Sequence, residues 1–190
     1  MTLYERRIKR LADVMLALLV LILLSPLLLL TALAIRIEDG GPTLFRQMRV
    51  GRDGKQFRLF KFRSMPVSVP SVPSAQAKSL PITRVGRVVR RTNIDELPQL
   101  FNVLRGDMSI VGPRPALPSQ AELLTMRAAR GVLRLKPGVT GLAQVNAYDG
   151  MPESEKVEWD ARYASVVSGV RDLTVVLRTI GYIVRRPPVY

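Results

Sequence analysis

Residues 14–35 read VMLALLVLILLSPLLLLTALAI, an apolar run without a charge and with Ser25-Pro26 at its middle. As one straight helix it would span roughly 33 Å, just enough for the hydrocarbon core of a bilayer. Two features argue against a straight crossing. Pro26 lacks a backbone donor and clashes with the preceding turn, which predicts a break near Ser25. Basic residues also crowd both flanks: Arg6, Arg7, Lys9 and Arg10 before the run, and Arg36, Arg46, Arg49, Arg52 and Lys55 after it. Positive charge at both ends places both on one side of a membrane. A helix that enters, breaks at Ser25-Pro26 and returns through the same leaflet meets both constraints, with the Ser25 hydroxyl as one partner for the freed backbone. A single-pass anchor is the rival reading. A cleaved signal peptide is not expected, because the run is too long and no small-residue cleavage site follows it.

Outward from this stretch, the rest of the 190 residues suffices for one compact domain. The net charge is +14, from 29 Lys and Arg against 15 Asp and Glu, and the pI is about 11.1. Such an excess calls for anionic partners, and beside an apolar anchor these are membrane phosphates and phosphorylated substrates rather than nucleic acid. There is no Cys and no His. Disulfides, thiolate catalysis, sulfur-ligated metals and the commonest general base are therefore excluded. Any chemistry rests on carboxylates, Lys, Arg, Tyr and hydroxyls, with an oxygen-ligated Mg²⁺ as the compatible metal.

Leu44–Met65 reads as a β-hairpin turning at Asp53-Gly54, with Phe57, Leu59, Phe60 and Phe62 for burial and Arg58, Lys61 and Arg63 for a polar face. Pro66–Thr83, rich in Pro, Ser, Val and Ala, reads as a mobile loop. Arg84–Arg91 is a short helix or an extended approach. Asn93 and Glu96 then predict a capping box opening a helix that carries Leu97, Leu100, Phe101 and Leu104 and stops at Gly106. Pro113 and Pro115 hold Arg114 on a stiff backbone. Ser119 and Glu122 predict a second capping box, with a helix to about Arg130. Lys136–Gly141 reads as a loop into a strand at Leu142–Val145, and Glu153–Ala164 as a helix. In the last helix Val170, Leu173, Val176, Leu177, Ile180, Ile183 and Val184 share one face, opposite Arg171, Arg178, Arg185 and Arg186. That face is expected to pack on the core or to lie against lipid. The fold class predicted is α+β, mostly helical, with a small hairpin.

Asp95-Glu96 is the adjacent carboxylate pair of chemical interest. Acids in a first helical turn commonly oppose the helix dipole, which is the plain structural account. The functional one is that the dipole and nearby arginines keep Asp95 ionised as a nucleophile, while Glu96 offers oxygen to Mg²⁺. Arg114 suits a forked contact with phosphate.

The ordered series of the Ser25-Pro26 break, Lys61-Phe62-Arg63-Ser64-Met65, Asp95-Glu96-Leu97-Pro98-Gln99, Gly106-Asp107-Met108-Ser109, Gly112-Pro113-Arg114-Pro115 and Lys136-Pro137-Gly138-Val139-Thr140-Gly141-Leu142-Ala143-Gln144 resembles the bacterial sugar transferase family. These are the monotopic phosphoglycosyl transferases, and the likeness runs from Arg6 to Tyr190 in their short catalytic form. It implies a re-entrant membrane element over 1–38, a catalytic domain over 39–190 with interfacial helices, and a place on the cytoplasmic face of the bacterial inner membrane. It further implies transfer of a phospho-sugar from a UDP-sugar, of the N-acetylated hexosamine type, to a polyprenol phosphate such as undecaprenyl phosphate, with release of UMP. Asp95 would form a covalent phosphosugar intermediate, and Asp95 and Glu96 would hold Mg²⁺. Lys61, Arg90 and Arg114 match phosphate-contacting positions, and Asp160 an acidic position near the site. The chain departs from many relatives after Gln144-Val145-Asn146, with Ala147-Tyr148 in place of Gly-Arg, which bears on sugar identity rather than on reaction class. Two other readings stay open from the residues: a membrane phosphatase or nucleotidase working through an aspartyl-phosphate, and a non-enzymatic basic membrane scaffold. No feature of the pattern specifies an oligomer.

Overall fold

A computed structural model describes residues 4–69, 80–148 and 150–185. After a π-helical turn at Tyr4–Ile8, the apolar run forms α1 (Lys9–Leu23) and α2 (Ser25–Asp39), bent by 63° at Leu24. Neither helix alone is long and apolar enough to cross a membrane. The bend falls at the proline for a local reason. Pro26 has no N–H to give the Ile22 carbonyl, and the Ser25 hydroxyl donates to that oxygen instead, at 2.8 Å. The helical bonds resume at once, with Leu28 N–H on the Leu24 carbonyl at 2.9 Å.

β1 (Leu44–Val50) and β2 (Gln56–Phe62) pair antiparallel in a register running from Leu44–Phe62 to Val50–Gln56. Asp53 (φ 54°) and Gly54 (φ 76°) make the turn, since Asp tolerates positive φ and Gly has no Cβ to oppose it, but inside a five-residue connection over 51–55. Leu59 and Phe62 are buried. Arg63, expected on the polar face, is buried too: the chain leaves the strand against the end of α2, and its guanidinium pairs with Asp39 at 3.1 Å.

Pro66–Thr83 falls largely outside the described residues, which omit 70–79. Its flanks are tied down by Val67 N–H on Asp39 (3.0 Å) and Thr83 N–H on the Ser64 carbonyl (3.2 Å). Thr83 caps α3 (Arg84–Arg91) by accepting from Gly86 N–H. A 3₁₀ turn, Ile94–Glu96, precedes α4 (Gln99–Arg105), which Gly106 ends at φ 93°.

β3 (Ser109–Val111) lies parallel to β4 (Gly138–Thr140). The strand expected at Leu142–Val145 is instead the single helical turn α6, and pairing occurs four residues earlier. Glycines explain the shift. A Cβ on Gly112 would collide with the Lys136 carbonyl, and one on Gly138 with Gly112 N, so this close backbone crossing excludes side chains.

α5 (Ala121–Ala129), α7 (Glu153–Ser165) and α8 (Gly169–Arg185) complete the domain. The second capping box does not form. Gln120 precedes α5, and its side chain turns back to accept from Leu117 N–H at 2.9 Å.

The core joins Leu59, Leu100, Val103, Met108, Ile110, Val111, Tyr163 and Val175 to Ala17 of α1. A polar cluster reinforces that junction. Asp172 accepts from Tyr4 (2.7 Å), Lys9 (2.7 Å) and Tyr163 (2.6 Å), and Asp13 from Ser109 Oγ (2.7 Å) and Ile110 N–H (3.1 Å). α8 therefore packs inward through Asp172 and Val175, while Val170, Leu173, Leu177 and Ile180 stand exposed. Core packing, one of the two expectations for that stripe, holds for Val176, which lies against the core, and not for the four exposed residues; beside them Arg171 bonds the Arg162 and Val166 carbonyls.

Candidate active site

The Asp95-Glu96 pair sits on the 3₁₀ turn, not in the first turn of an α-helix. Pro98 keeps α4 from beginning before Gln99, and Asn93 (φ 55°) enters the left-handed region to redirect the chain after α3. The capping box predicted here is absent. The Asn93 side chain caps nothing, while its carbonyl accepts from Glu96 N–H at 3.2 Å. The Glu96 side chain is drawn away by stronger partners.

Those partners are two cations on one oxygen. Glu96 Oε1 accepts from Lys61 Nζ at 2.6 Å and from Arg114 Nη2 at 2.8 Å. Burial opposes its charge, but Arg114 and Lys61 outweigh burial and hold the carboxyl well below the usual carboxylate range. Asp95 beside it has the opposite character. Burial pushes its pKa up to about 6, with the Glu96 charge adding to the rise and Lys61, Arg90 and Arg114 opposing it. Among the described residues no hydrogen-bond donor is seated on the Asp95 carboxylate. Asp95, expected to be kept ionised by dipole and arginines, is held less firmly than that: burial outweighs the cations, and the carboxylate is the main form only above about pH 6.

The other expected residues gather around this pair. Lys61 comes from the end of β2. Arg90 comes from α3, its Nε bonded to Ser64 Oγ at 2.7 Å. Asp160, unlike them, is fully buried, at 1% exposure, and it does not face the dyad. Its Oδ2 accepts from Arg127 Nε (3.0 Å) and Nη2 (2.6 Å), and Arg127 Nη1 donates to the Arg114 carbonyl at 2.8 Å. Burial pushes the Asp160 carboxyl up, and Arg127 counters it.

Two participants escaped the sequence reading. Arg127 carries no local signal. Arg49 does: in the hairpin register it falls on the same side as Lys61, by the twofold alternation of strands. It donates to the Pro115 carbonyl at 3.2 Å and to Gln47 Oε1 at 2.6 Å. Burial, with Arg114 nearby, brings its pKa down to about 10. At the position of the Ala147-Tyr148 departure, the Tyr148 hydroxyl bonds Glu155 at 2.6 Å. A cavity of about 380 Å³, lined in part by Arg46, Arg58, Phe60 and Arg105, opens on the outward face of the hairpin and not at the dyad.

Among the described residues no group of three or more carboxylates is arranged to hold a metal. The dyad still suits one that takes its remaining ligands from phosphate: among the described residues Asp95 carries no donor, and both cations on Glu96 bind a single oxygen. Structurally, the arrangement is an enclosed carboxylate ringed by cations, suited to attack on phosphorus with the charge neutralised.

A family model described as bacterial sugar transferase matches residues 4–186. A UDP-glucose:undecaprenyl-phosphate glucose-1-phosphate transferase of Caulobacter vibrioides is 45% identical over 181 residues, covering 90% of this chain and 68% of that protein. A protein of the same name from Escherichia coli is 41% identical over 185 residues, covering 93% and 40%. A UDP-N-acetylgalactosamine-undecaprenyl-phosphate N-acetylgalactosaminephosphotransferase of Aeromonas hydrophila is 40% identical over 180 residues, covering 91% and 43%. The chain thus spans about two thirds of the first relative and about two fifths of the other two.

Proposed function

This chain belongs to the bacterial sugar transferase family, and on that premise we propose that it moves a sugar-1-phosphate from a UDP-sugar to undecaprenyl phosphate. The observation that carries the reading is the contrast within the dyad. Glu96 absorbs Lys61 and Arg114, while among the described residues no hydrogen-bond donor is seated on Asp95, which keeps its oxygens available.

In the first step an Asp95 carboxylate oxygen attacks the phosphorus that bears the sugar. The bond from that phosphorus to the bridging oxygen breaks, and UMP leaves with that oxygen. In the second step a phosphate oxygen of the polyprenol phosphate attacks the same phosphorus. The acyl-phosphate bond breaks, Asp95 returns to a carboxylate, and a polyprenyl diphosphosugar remains. Neither step needs a histidine, since the acceptor phosphate is already ionised at neutral pH. Lys61, Arg90 and Arg114 neutralise charge on the phosphates. Asp95 and Glu96 would hold Mg²⁺, which when bound adds further charge neutralisation at the phosphates.

The acceptor's lipid tail explains the rest of the molecule. α1 and α2 form a re-entrant element in one leaflet of the bacterial inner membrane, with the domain on the cytoplasmic face. The bend at Leu24 and the exposed apolar stripe of α8 support this placement. The donor is a UDP-hexose. An N-acetylated hexosamine is our reading of its type, and UDP-glucose, the donor in the names of the Caulobacter and Escherichia coli relatives, is the comparison.

UMP release that requires both donor and polyprenol phosphate supports the transferase. Release without the lipid points instead to a nucleotidase. A phosphosugar adduct on Asp95, found by mass spectrometry when the acceptor is withheld, tests the intermediate, and its absence defeats it. For topology, cysteines introduced at Thr2 and Arg52 should both escape an impermeant thiol reagent applied from the periplasm. Labelling of one alone establishes a crossing.

A further inference from the structure

Arg114 is held by its backbone as well as by its side chain, which bonds Glu96 at 2.8 Å. Each carbonyl over 113–116 has a donor: Gly138 N–H on Pro113 (2.9 Å), Arg127 on Arg114 (2.8 Å), Arg49 on Pro115 (3.2 Å) and Val50 N–H on Ala116 (2.9 Å). Two of these four are backbone bonds of the surrounding fold. Arg49 is only half-buried. Arg127 stands apart, because it is buried at 5% exposure and anchored behind by a carboxylate that is itself buried.

We propose that Arg127 and Asp160 are positioning residues, which set the place of the Arg114 guanidinium through the Arg114 carbonyl and touch no substrate themselves. The proposal rests on the transferase reading only for what Arg114 binds. The geometry has a clear division of labour. Asp160 Oδ2 takes two of the guanidinium's donors, which orients the plane, and the third points at the loop. Only arginine serves both ends, since its donors form a rigid fork. A lysine here is a single point charge that can meet the carboxylate or the carbonyl but not both. A buried ion pair contributes little net stability after desolvation, so what this one supplies is the geometry it imposes.

The assignment also accounts for Asp160 without giving it chemistry. It lies in the middle of α7, far along the chain from the dyad, and its carboxylate is consumed by Arg127. Its route to the site runs through one guanidinium and one carbonyl.

The test uses full-length protein in nanodiscs and Arg127→Lys, read in two ways. Amide exchange at Val50 and Gly138, which donate into the loop, should rise by about tenfold, the scale of one lost charge-assisted hydrogen bond. Unchanged exchange overturns the proposal, whatever the enzyme does. Affinity for UDP, measured by calorimetry, is then followed through a double-mutant cycle with Arg114→Ala. Arg127→Lys should weaken UDP binding by about tenfold alone and by less than about twofold when Arg114 is already absent. Equal losses in both backgrounds show a general structural effect and overturn it. Should Arg127→Lys not fold, Asp160→Glu keeps both charges, displaces the anchor by one methylene and is read identically. If the unaltered protein binds no UDP, the transferase reading fails, while the exchange experiment still decides whether Arg127 holds the loop.

Discussion

Asp172, in the first turn of α8, and Asp95, on the turn before α4, are both carboxylates enclosed by protein, and the fold treats them in opposite ways. Asp172 receives two tyrosine hydroxyls and the Lys9 ammonium within 2.6–2.7 Å. Burial and the Asp172 charge push the Tyr163 phenol up, so it stays a donor. Asp95 has cations nearby but, among the described residues, no donor seated on it, and burial raises its pKa to about 6. Satisfaction makes a joint that holds α1, α7 and α8 together. Leaving the acid unsatisfied makes a group that is costly to keep charged and ready to form a bond. On the proposed function, two side chains of one residue type thus serve architecture and reactivity according to what their neighbours donate.

The sharpest way to break this comparison is to neutralise each acid in turn. Asp95→Asn should lower transfer by at least about a thousandfold, as expected for loss of a covalent nucleophile, with membrane association unchanged. UMP release dependent on donor and acceptor is the measurement, and full activity in that variant removes Asp95 from the chemistry. Asp172→Ala should do the reverse. It removes the acceptor of the Tyr4 and Tyr163 hydroxyls and the nearer partner of Lys9, which keeps Asp13 at 3.6 Å, and should cost about 1–3 kcal/mol of stability, seen as a drop in thermal midpoint before activity is considered.

Two smaller effects sharpen the contrast. The carboxylate is the attacking form, so adduct formation should fall on the acid side with a midpoint near the Asp95 pKa of about 6 and about tenfold per pH unit below it. Glu96→Gln removes a charge that raises this pKa and frees Lys61 and Arg114, so the same midpoint should move down; an upward shift contradicts the electrostatic account. The linkage sign gives the last test. A carboxyl raised from 3.8 to about 6 favours the folded state below pH 4 and loses that contribution as pH rises through about 6. Asp95→Asn should therefore raise the thermal midpoint at pH 7 by up to about 6–12 °C, and by much less at pH 4.

What could be read from the chain alone was what is decided locally. The bend follows from the missing donor of Pro26 and a hydroxyl one residue away, and the hairpin turn from two residues that tolerate positive φ. The composition of the dyad was also legible, since its motif is contiguous. The errors came where a distant partner outbids a near one. Glu96 abandons the cap of its own turn for Lys61, 35 residues away, and Arg114, 18 residues away. The strand at Gly138–Thr140 exists because Gly112 lets a second backbone approach. Arg127 belongs to the site only through a carbonyl, which no spacing rule encodes. The α8 stripe was seen correctly as apolar, but its direction depends on Asp172 being claimed by Tyr4, Lys9 and Tyr163.

The single Glu96 oxygen shared by Lys61 and Arg114 has a thermodynamic consequence for loading. At rest the cluster carries its own internal counterion, so an arriving diphosphate does not meet a bare pair of cations. It must trade places with a resident anion, and entry becomes an exchange in which local charge is nearly conserved. Donor affinity should therefore respond to ionic strength less steeply than the number of cations in the site would imply.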